Sequence, residues 1–293
     1  MSALGLPRLS LPRFSPAIPN PMRSLSLFHN LAILIAALAI CATPLFAENP
    51  LPTLWLIGDS TVNNGSGKGD GGLWGWGAPL AGHFDTTKIA VKNRARGGRS
   101  SRTFFTEGLW EKVAAELKAG DFVLMQFGHN DGGPLDGPKG RASLKGNGEE
   151  TQEVAVAGGE KKEVVHSYGW YLRKYITDAK AKGATPIVLS QIPRNMWNDE
   201  KVSRASGDYG KWAKEAAAAE GALFIDLNEI VARHYEEVGQ EKVKTEFFTE
   251  KDHTHTTAAG AKANAAAVAA GIKALPDCPL AEWLAPTRTE WKP

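Results

Sequence analysis

Cysteine is scarce in this chain, with two in 293 residues, Cys41 and Cys278. Cys41 falls inside an apolar leader, so a single thiol remains, an internal disulfide is excluded, and the fold must rest on its core. Acidic residues are missing altogether before Glu48. Behind Arg8, Arg13 and Arg23 runs the apolar stretch SLFHNLAILIAALAICATPLFA (26–47), the pattern of a secretory signal. The expectation is a leader over 1–47 cleaved after Ala47, with Met22 as a second candidate start, and export to the periplasm or beyond the cell. A retained membrane anchor is the competing reading. Asn30 and Pro44 break the run and speak against it, and Ile40 is too bulky to precede a lipidated Cys41. Loss of the leader takes away three arginines and no acid, leaving 31 basic residues against 32 acidic ones, a net charge of −1. The whole-chain value of +2 therefore gives no support to a nucleic-acid partner, and no membrane association is expected once the leader is gone. The sequence also lacks any internal repeat.

What is present is a core. Hydrophobic residues make up 43% and charged residues 23%, enough apolar material for one large globular domain over 48–293. TLWLIG (53–58), KIAVKN (88–93), DFVLMQFG (121–128), TPIVLSQI (185–192) and ALFIDL (222–227) are apolar on consecutive positions, as strands buried on both faces are. Between them, residues 109–120, 167–183, 206–221 and 258–275 read as helices, the first two closed by Gly120 and Gly183. The alternation predicts an α/β fold, a three-layer α/β/α sandwich around a five-stranded parallel sheet. Residues 132–165 interrupt the rhythm as an insertion, and TQEVAVAGGEKKEVVH (151–166) predicts a projecting hairpin with a Gly-Gly turn.

Open α/β sheets bind ligands beyond the carboxyl ends of their strands. There the first strand delivers Gly58-Asp59-Ser60, the second NRARGGRSSR (93–102), the third Gly128-His129-Asn130-Asp131, while KDHTHTTAAG (251–260) opens the last helix. A serine hydroxyl becomes a nucleophile when a neutral imidazole takes its proton and a carboxylate fixes that imidazole. Ser60, His255 and Asp252 are the candidates for these roles. The backbone N–H groups of Ser60 and Gly98 and the amide of Asn130 are the candidate donors to an oxyanion. No G-x-S-x-G elbow surrounds Ser60, which disfavours the larger α/β-hydrolase class. Arg99, His129 and Trp197 are candidate substrate contacts, with Arg94, Arg96 and Arg102 clustered near Gly98 and Trp74 and Trp76 available to stack on sugar rings. His129 and Asp131 can equally fix the loop around Asn130, and His83 and His166 read as structural or surface residues. His253 and His255 form an H-x-H pair, yet a metal site would need further ligands, so neither metal nor cofactor is expected.

These four blocks, in this order, resemble the SGNH or GDSL-type hydrolases, from about residue 53 to 275. GDSTV, GGRSSRTF, FGHND, VHSYGWYLRKYI and DHTHTTAAGA are similar to those of rhamnogalacturonan acetylesterases, with Thr61 where many GDSL enzymes carry leucine. The resemblance implies a flavodoxin-like fold, catalytic Ser60, Asp252 and His255, oxyanion donors at Ser60, Gly98 and Asn130, and removal of acetyl groups from pectin without a cofactor. Its partner would be an acetylated polysaccharide or oligosaccharide. An acetylxylan or broad acetyl esterase is the alternative, and a carbohydrate-binding protein without turnover a third reading.

Overall fold

The computed structural model describes residues 50–286, apart from 157, 158, 160, 205 and 206. The expected leader over 1–47 and part of the expected Gly-Gly turn lie outside the described residues. From Leu51 onward the chain gathers into one compact unit. No helix among the described residues is long and apolar enough to cross a membrane.

Strand β1 (Thr53–Gly58) sets out the layers. Successive side chains of a strand point to opposite faces, so Leu54 and Leu56 enter one core while Trp55 and Ile57 enter another. Strand β3 (Phe122–Gln126) does the same, sending Phe122 and Leu124 one way and Val123 and Met125 the other. Strand β2 (Ala90–Asn93) pairs with the outer edge of β1, and β4 (Thr185–Leu189) and β5 (Leu223–Ile225) extend the sheet beyond β3. All pairings are parallel and the order is β2-β1-β3-β4-β5, the doubly wound arrangement of a flavodoxin-like fold.

Two-sided burial requires helices on both faces. Helices α1 (Ser101–Thr106), α2 (Leu109–Glu116), α3 (Tyr168–Ala181) and α4 (Tyr209–Ala219) cover the Trp55 and Ile57 face. Helices α5 (Leu227–Val238) and α6 (Ala258–Ala274) cover the Leu54 and Leu56 face. A leucine buried as completely as Leu124 contributes enough that truncation to Ala costs about 2 to 5 kcal/mol.

The elements are shorter than the apolar runs suggest, because polar residues at the run ends are taken by caps and turns. Asp226, expected inside the last strand, instead caps α5 by accepting the N–H of Glu229 at 3.3 Å. Ser190 leaves β4 and its hydroxyl donates to Asp226 at 2.8 Å. Helix α5 itself is an element that the apolar-run reading passes over. In the insertion, Thr151–Ala155 and Lys162–His166 pair antiparallel, Thr151 opposite His166, as the alternation predicts.

Candidate active site

At the end of β1, Gly58 has φ +155, and a Cβ there would lie 2.4 Å from the Gln126 carbonyl oxygen and 2.6 Å from a Val62 methyl, so only glycine fits. The chain then turns at once. The Asp59 carbonyl accepts the N–H groups of Val62 at 3.2 Å and Asn63 at 3.0 Å, which leaves Ser60 standing on a tight turn directly beyond the sheet.

A buried polar network fixes that turn from below. Asp59 accepts the Thr61 N–H at 2.8 Å and the Thr61 hydroxyl at 2.7 Å, and its second oxygen faces His129 Nδ1 at 3.3 Å. The Gln126 amide donates to the Thr61 oxygen at 2.6 Å and accepts from the Trp76 indole at 2.9 Å. Burial pushes the Asp59 carboxyl up, but the His129 ring and the Thr61 donors together outweigh it and hold the group below the usual carboxylate range. The charged carboxylate beneath Ser60 is thus matched by the two Thr61 donors and the His129 ring.

His255 Nε2 lies 2.8 Å from Ser60 Oγ, and His255 Nδ1 lies 2.7 Å from Asp252 Oδ2. The other Asp252 oxygen accepts the N–H groups of Thr254 at 2.7 Å and His255 at 2.9 Å, a local carboxylate turn that aims the imidazole. Burial raises the Asp252 carboxyl, yet these two N–H groups and the His255 ring prevail and keep it low, so it stays ionised opposite the imidazole. The two residues do not sit within the first turn of a helix, as their spacing suggests. They precede it, in a loop that ends at Thr257, the residue that caps α6 by accepting the N–H of Gly260 at 3.3 Å. A two-residue bridge between Trp74 and Thr256 ties this loop to the segment after Ser60, through a Trp74 N–H bond to the Thr256 carbonyl at 2.8 Å.

The loops after β1 and β3 meet where the sheet order reverses, the usual crevice of doubly wound folds. Gly98 has φ +77, and a notional Cβ would meet only Arg141 Nη1 at an ordinary 3.6 Å, so its backbone conformation alone favours glycine. Asn130 spends one amide hydrogen on the Arg99 carbonyl at 3.0 Å, and its second stays available. The N–H groups of Ser60 and Gly98 make no hydrogen bond among the described residues. Asp131 holds the Gly98 and Asn130 loops together: its carboxylate accepts the Ser101 N–H at 3.1 Å, the Ser101 hydroxyl at 2.5 Å and the Ser143 hydroxyl at 3.0 Å. Full burial dominates these bonds and, with the nearby Asp59 charge, pushes Asp131 up to about 6.

Ser60, Gly98, Asn130 and His255 line an open cleft of about 720 Å³, together with Arg96, Arg99 and Arg141. Arg99 is spoken for: it pairs with Glu107 at 2.9 Å and donates to the Gly97 carbonyl at 3.0 Å. Arg94 pairs with Glu116 over the Trp55 ring, and Arg102, 1% exposed, binds Glu163 and the carbonyls of Leu135 and Ala142, so neither joins the cleft. Two expected substrate contacts are not among the residues that line the cleft. The His129 side chain is 3% exposed, with Nε2 bonded to the Ile192 carbonyl at 3.0 Å and Nδ1 facing Asp59, which fits the alternative expectation that it fixes the loop below the cleft. Trp197 packs against the core with its indole bonded to Asn195 at 2.7 Å, and it lies outside the set of cleft residues. Trp76 is buried, which removes it from the sugar-stacking role, while Trp74 is partly exposed and packs over Gly69. His166 stacks on Trp170 with ring centroids 3.8 Å apart. Asn64, Gly65, Ser66 and Arg141 also line the cleft without having been singled out in the sequence, and Arg141 is the charged one among them. A lone arginine in a glycine-rich insertion carries no periodicity or motif to single it out.

Residues 56–263 match the GDSL-like Lipase/Acylhydrolase family. A rhamnogalacturonan acetylesterase of Emericella nidulans is 33% identical over 224 residues, 76% of this chain and 86% of the relative. A Bacillus subtilis protein named as a probable rhamnogalacturonan acetylesterase is 34% identical over 226 residues, 76% of this chain and 93% of its own length. Among solved structures, the crystal structure of the YXIM protein of Bacillus subtilis matches with a TM-score of 0.60 and 26% identity, over 76% of this chain and 56% of that one. The chain belongs to the GDSL-like lipase and acylhydrolase family, the SGNH hydrolases, and is a carboxylic ester hydrolase.

Proposed function

We propose that this chain is an exported serine esterase that removes acetyl groups from O-acetylated rhamnogalacturonan, with residues 1–47 as its leader and 48–293 as its esterase domain. The observation that carries the reading is the chain of hydrogen bonds from Ser60 Oγ to His255 Nε2 at 2.8 Å and from His255 Nδ1 to Asp252 at 2.7 Å, at the floor of an open cleft. The names of the two relatives support the acetyl group and the polysaccharide.

In the first step Ser60 Oγ attacks the acetyl carbonyl carbon and its proton passes to His255 Nε2. Charge develops on the carbonyl oxygen, where the N–H groups of Ser60 and Gly98 and the free amide hydrogen of Asn130 receive it, each worth about 3 to 4 kcal/mol in the transition state. The intermediate collapses, the sugar oxygen leaves with the proton held by His255, and an acetyl-serine remains. In the second step water loses a proton to His255 as it attacks the acetyl-serine, and Ser60 departs with that proton as acetate forms. Asp252, held ionised by its donors, steadies the imidazolium in both steps. Both steps require His255 to begin as the neutral imidazole.

Acetate release from acetylated rhamnogalacturonan and from acetylxylan, side by side, tests the proposal with Ser60→Ala as control. Release from the first substrate alone, lost in the variant, supports both chemistry and substrate. Equal release from both retains the chemistry and replaces the pectin substrate with a broad acetyl esterase. Release that survives Ser60→Ala overturns the mechanism.

A further inference from the structure

Beside the cleft at Ser60 lies a second hollow of about 620 Å³, and the two share Gly98, Arg99 and Arg141 as a common wall. A single acetyl ester fills a small part of the first hollow alone, since pockets of this size accept ligands of many atoms. The neighbouring hollow therefore has room for the chain that continues from an acetylated sugar.

Its charge is one-sided. Arg96 stands in the cleft at Ser60, Arg141 between the hollows, and Lys139 at the far one. Glu107 is the one acid among the residues lining either hollow, and it is neutralised by Arg99 at 2.9 Å. The side chains of Arg96 and Lys139 are exposed and make no hydrogen bond or ion pair among the described residues. Arg141 uses one guanidinium nitrogen on the Gly98 carbonyl at 3.2 Å, which leaves its remaining donors free. Three positive charges without partners thus follow one path from the nucleophile outward. Two of them come from the insertion, whose backbone is held in place by the buried Arg102 and by the Ser100 hydroxyl, which donates to the Arg141 carbonyl at 2.5 Å.

We infer that this pair of hollows is one groove for an acidic polysaccharide chain, whose sugar carboxylates are bound by Arg96, Arg141 and Lys139 along the path that leads away from the acetylated residue. The inference rests on the esterase reading above and adds to it where the polymer lies and which residues select an acidic chain over a neutral one. The cations are exposed, so their attraction is screened by salt over about 8 Å at physiological ionic strength. Arginine can grip a carboxylate through two parallel hydrogen bonds, whereas lysine acts as a mobile point charge.

The test compares kcat/KM on an acetylated oligogalacturonide with free carboxylates and on the same oligomer with its carboxylates methyl-esterified, at low and high salt. Wild type, Lys139→Glu and Lys139→Arg are assayed, and p-nitrophenyl acetate with wild type and Ser60→Ala reports on the esterase reading by itself. The expected result is a preference of about five- to tenfold for the acidic form at low salt, reduced at high salt, lost in Lys139→Glu and kept in Lys139→Arg. Equal kcat/KM on the two oligomers, or a preference that Lys139→Glu leaves intact, overturns the groove while the esterase reading stands. Failure of the wild type to hydrolyse p-nitrophenyl acetate and both oligomers overturns the esterase reading and the groove with it.

Discussion

The floor and the wall of the cleft are built on opposite terms. On the floor, Asp59, Gln126 and Asp131 are fully buried, and their polar groups are bonded to Thr61, Trp76, Ser101 and Ser143. On the wall, Arg96, Lys139 and Arg141 are exposed, and their charges are mostly unmatched. The difference teaches which part must stay rigid. A nucleophile and its oxyanion donors lose their effect when displaced by about an ångström, so their support is buried and saturated. A polymer chain is held by many weak contacts, each of which works from an exposed position.

Four changes would break or sharpen that contrast. The largest effect belongs to the floor: Ser60→Ala lowers kcat by about 10⁴-fold or more with little change in thermal midpoint, read by acetate release alongside a melting curve. Next is the joint between floor and wall. Glu163→Ala leaves the buried Arg102 guanidinium without its carboxylate, at a cost of about 3 kcal/mol in urea unfolding. Asn130→Ala follows, removing an oxyanion donor and lowering kcat by about 10²- to 10³-fold. A fall confined to KM would place Asn130 in ground-state binding instead.

The last change concerns pH. Asp131 is raised to about 6 in the fold, above its ordinary 3.8, so the native state binds the extra proton between those values. Stability from this group is greatest below about pH 4, falls by roughly 3 kcal/mol as pH rises to about 6, and is flat above. Asp59 and Asp252 are lowered instead, so their contribution is present above their ordinary value and is lost on further acidification. Urea unfolding across this range is expected to show the Asp131 slope in wild type and its absence in Asp131→Asn.

Legibility in the sequence followed the same divide. Strand β1 was readable to the residue because Thr53–Gly58 is apolar without interruption and stops at a glycine that nothing else can replace. The proximity of Asp252 and His255 was readable because their bond is local. Other features depend on contacts across distance. His129 looks like a cleft residue from its place beside Asn130, and only the Ile192 carbonyl, 63 positions away, turns its ring downward. Arg99 sits next to Gly98, yet Glu107 claims its guanidinium. Arg141 reaches the cleft because the insertion folds back onto the Ser100 and Arg102 side chains, a geometry that no local pattern encodes. Helix α5 was legible in principle from Asp226, Glu229 and the spacing of Leu227, Val231 and Tyr235, although the apolar-run reading stopped one residue into it.

The account stands on Ser60 as the atom that carries the acetyl group. The direct measurement is acid quenching of the protein during turnover of a fast-reacting acetyl ester, followed by peptide mass analysis. The account predicts an acetyl adduct on the peptide holding Ser60, absent from Ser60→Ala. An adduct on a different residue with Ser60 unmodified, or turnover undiminished in Ser60→Ala, would contradict it.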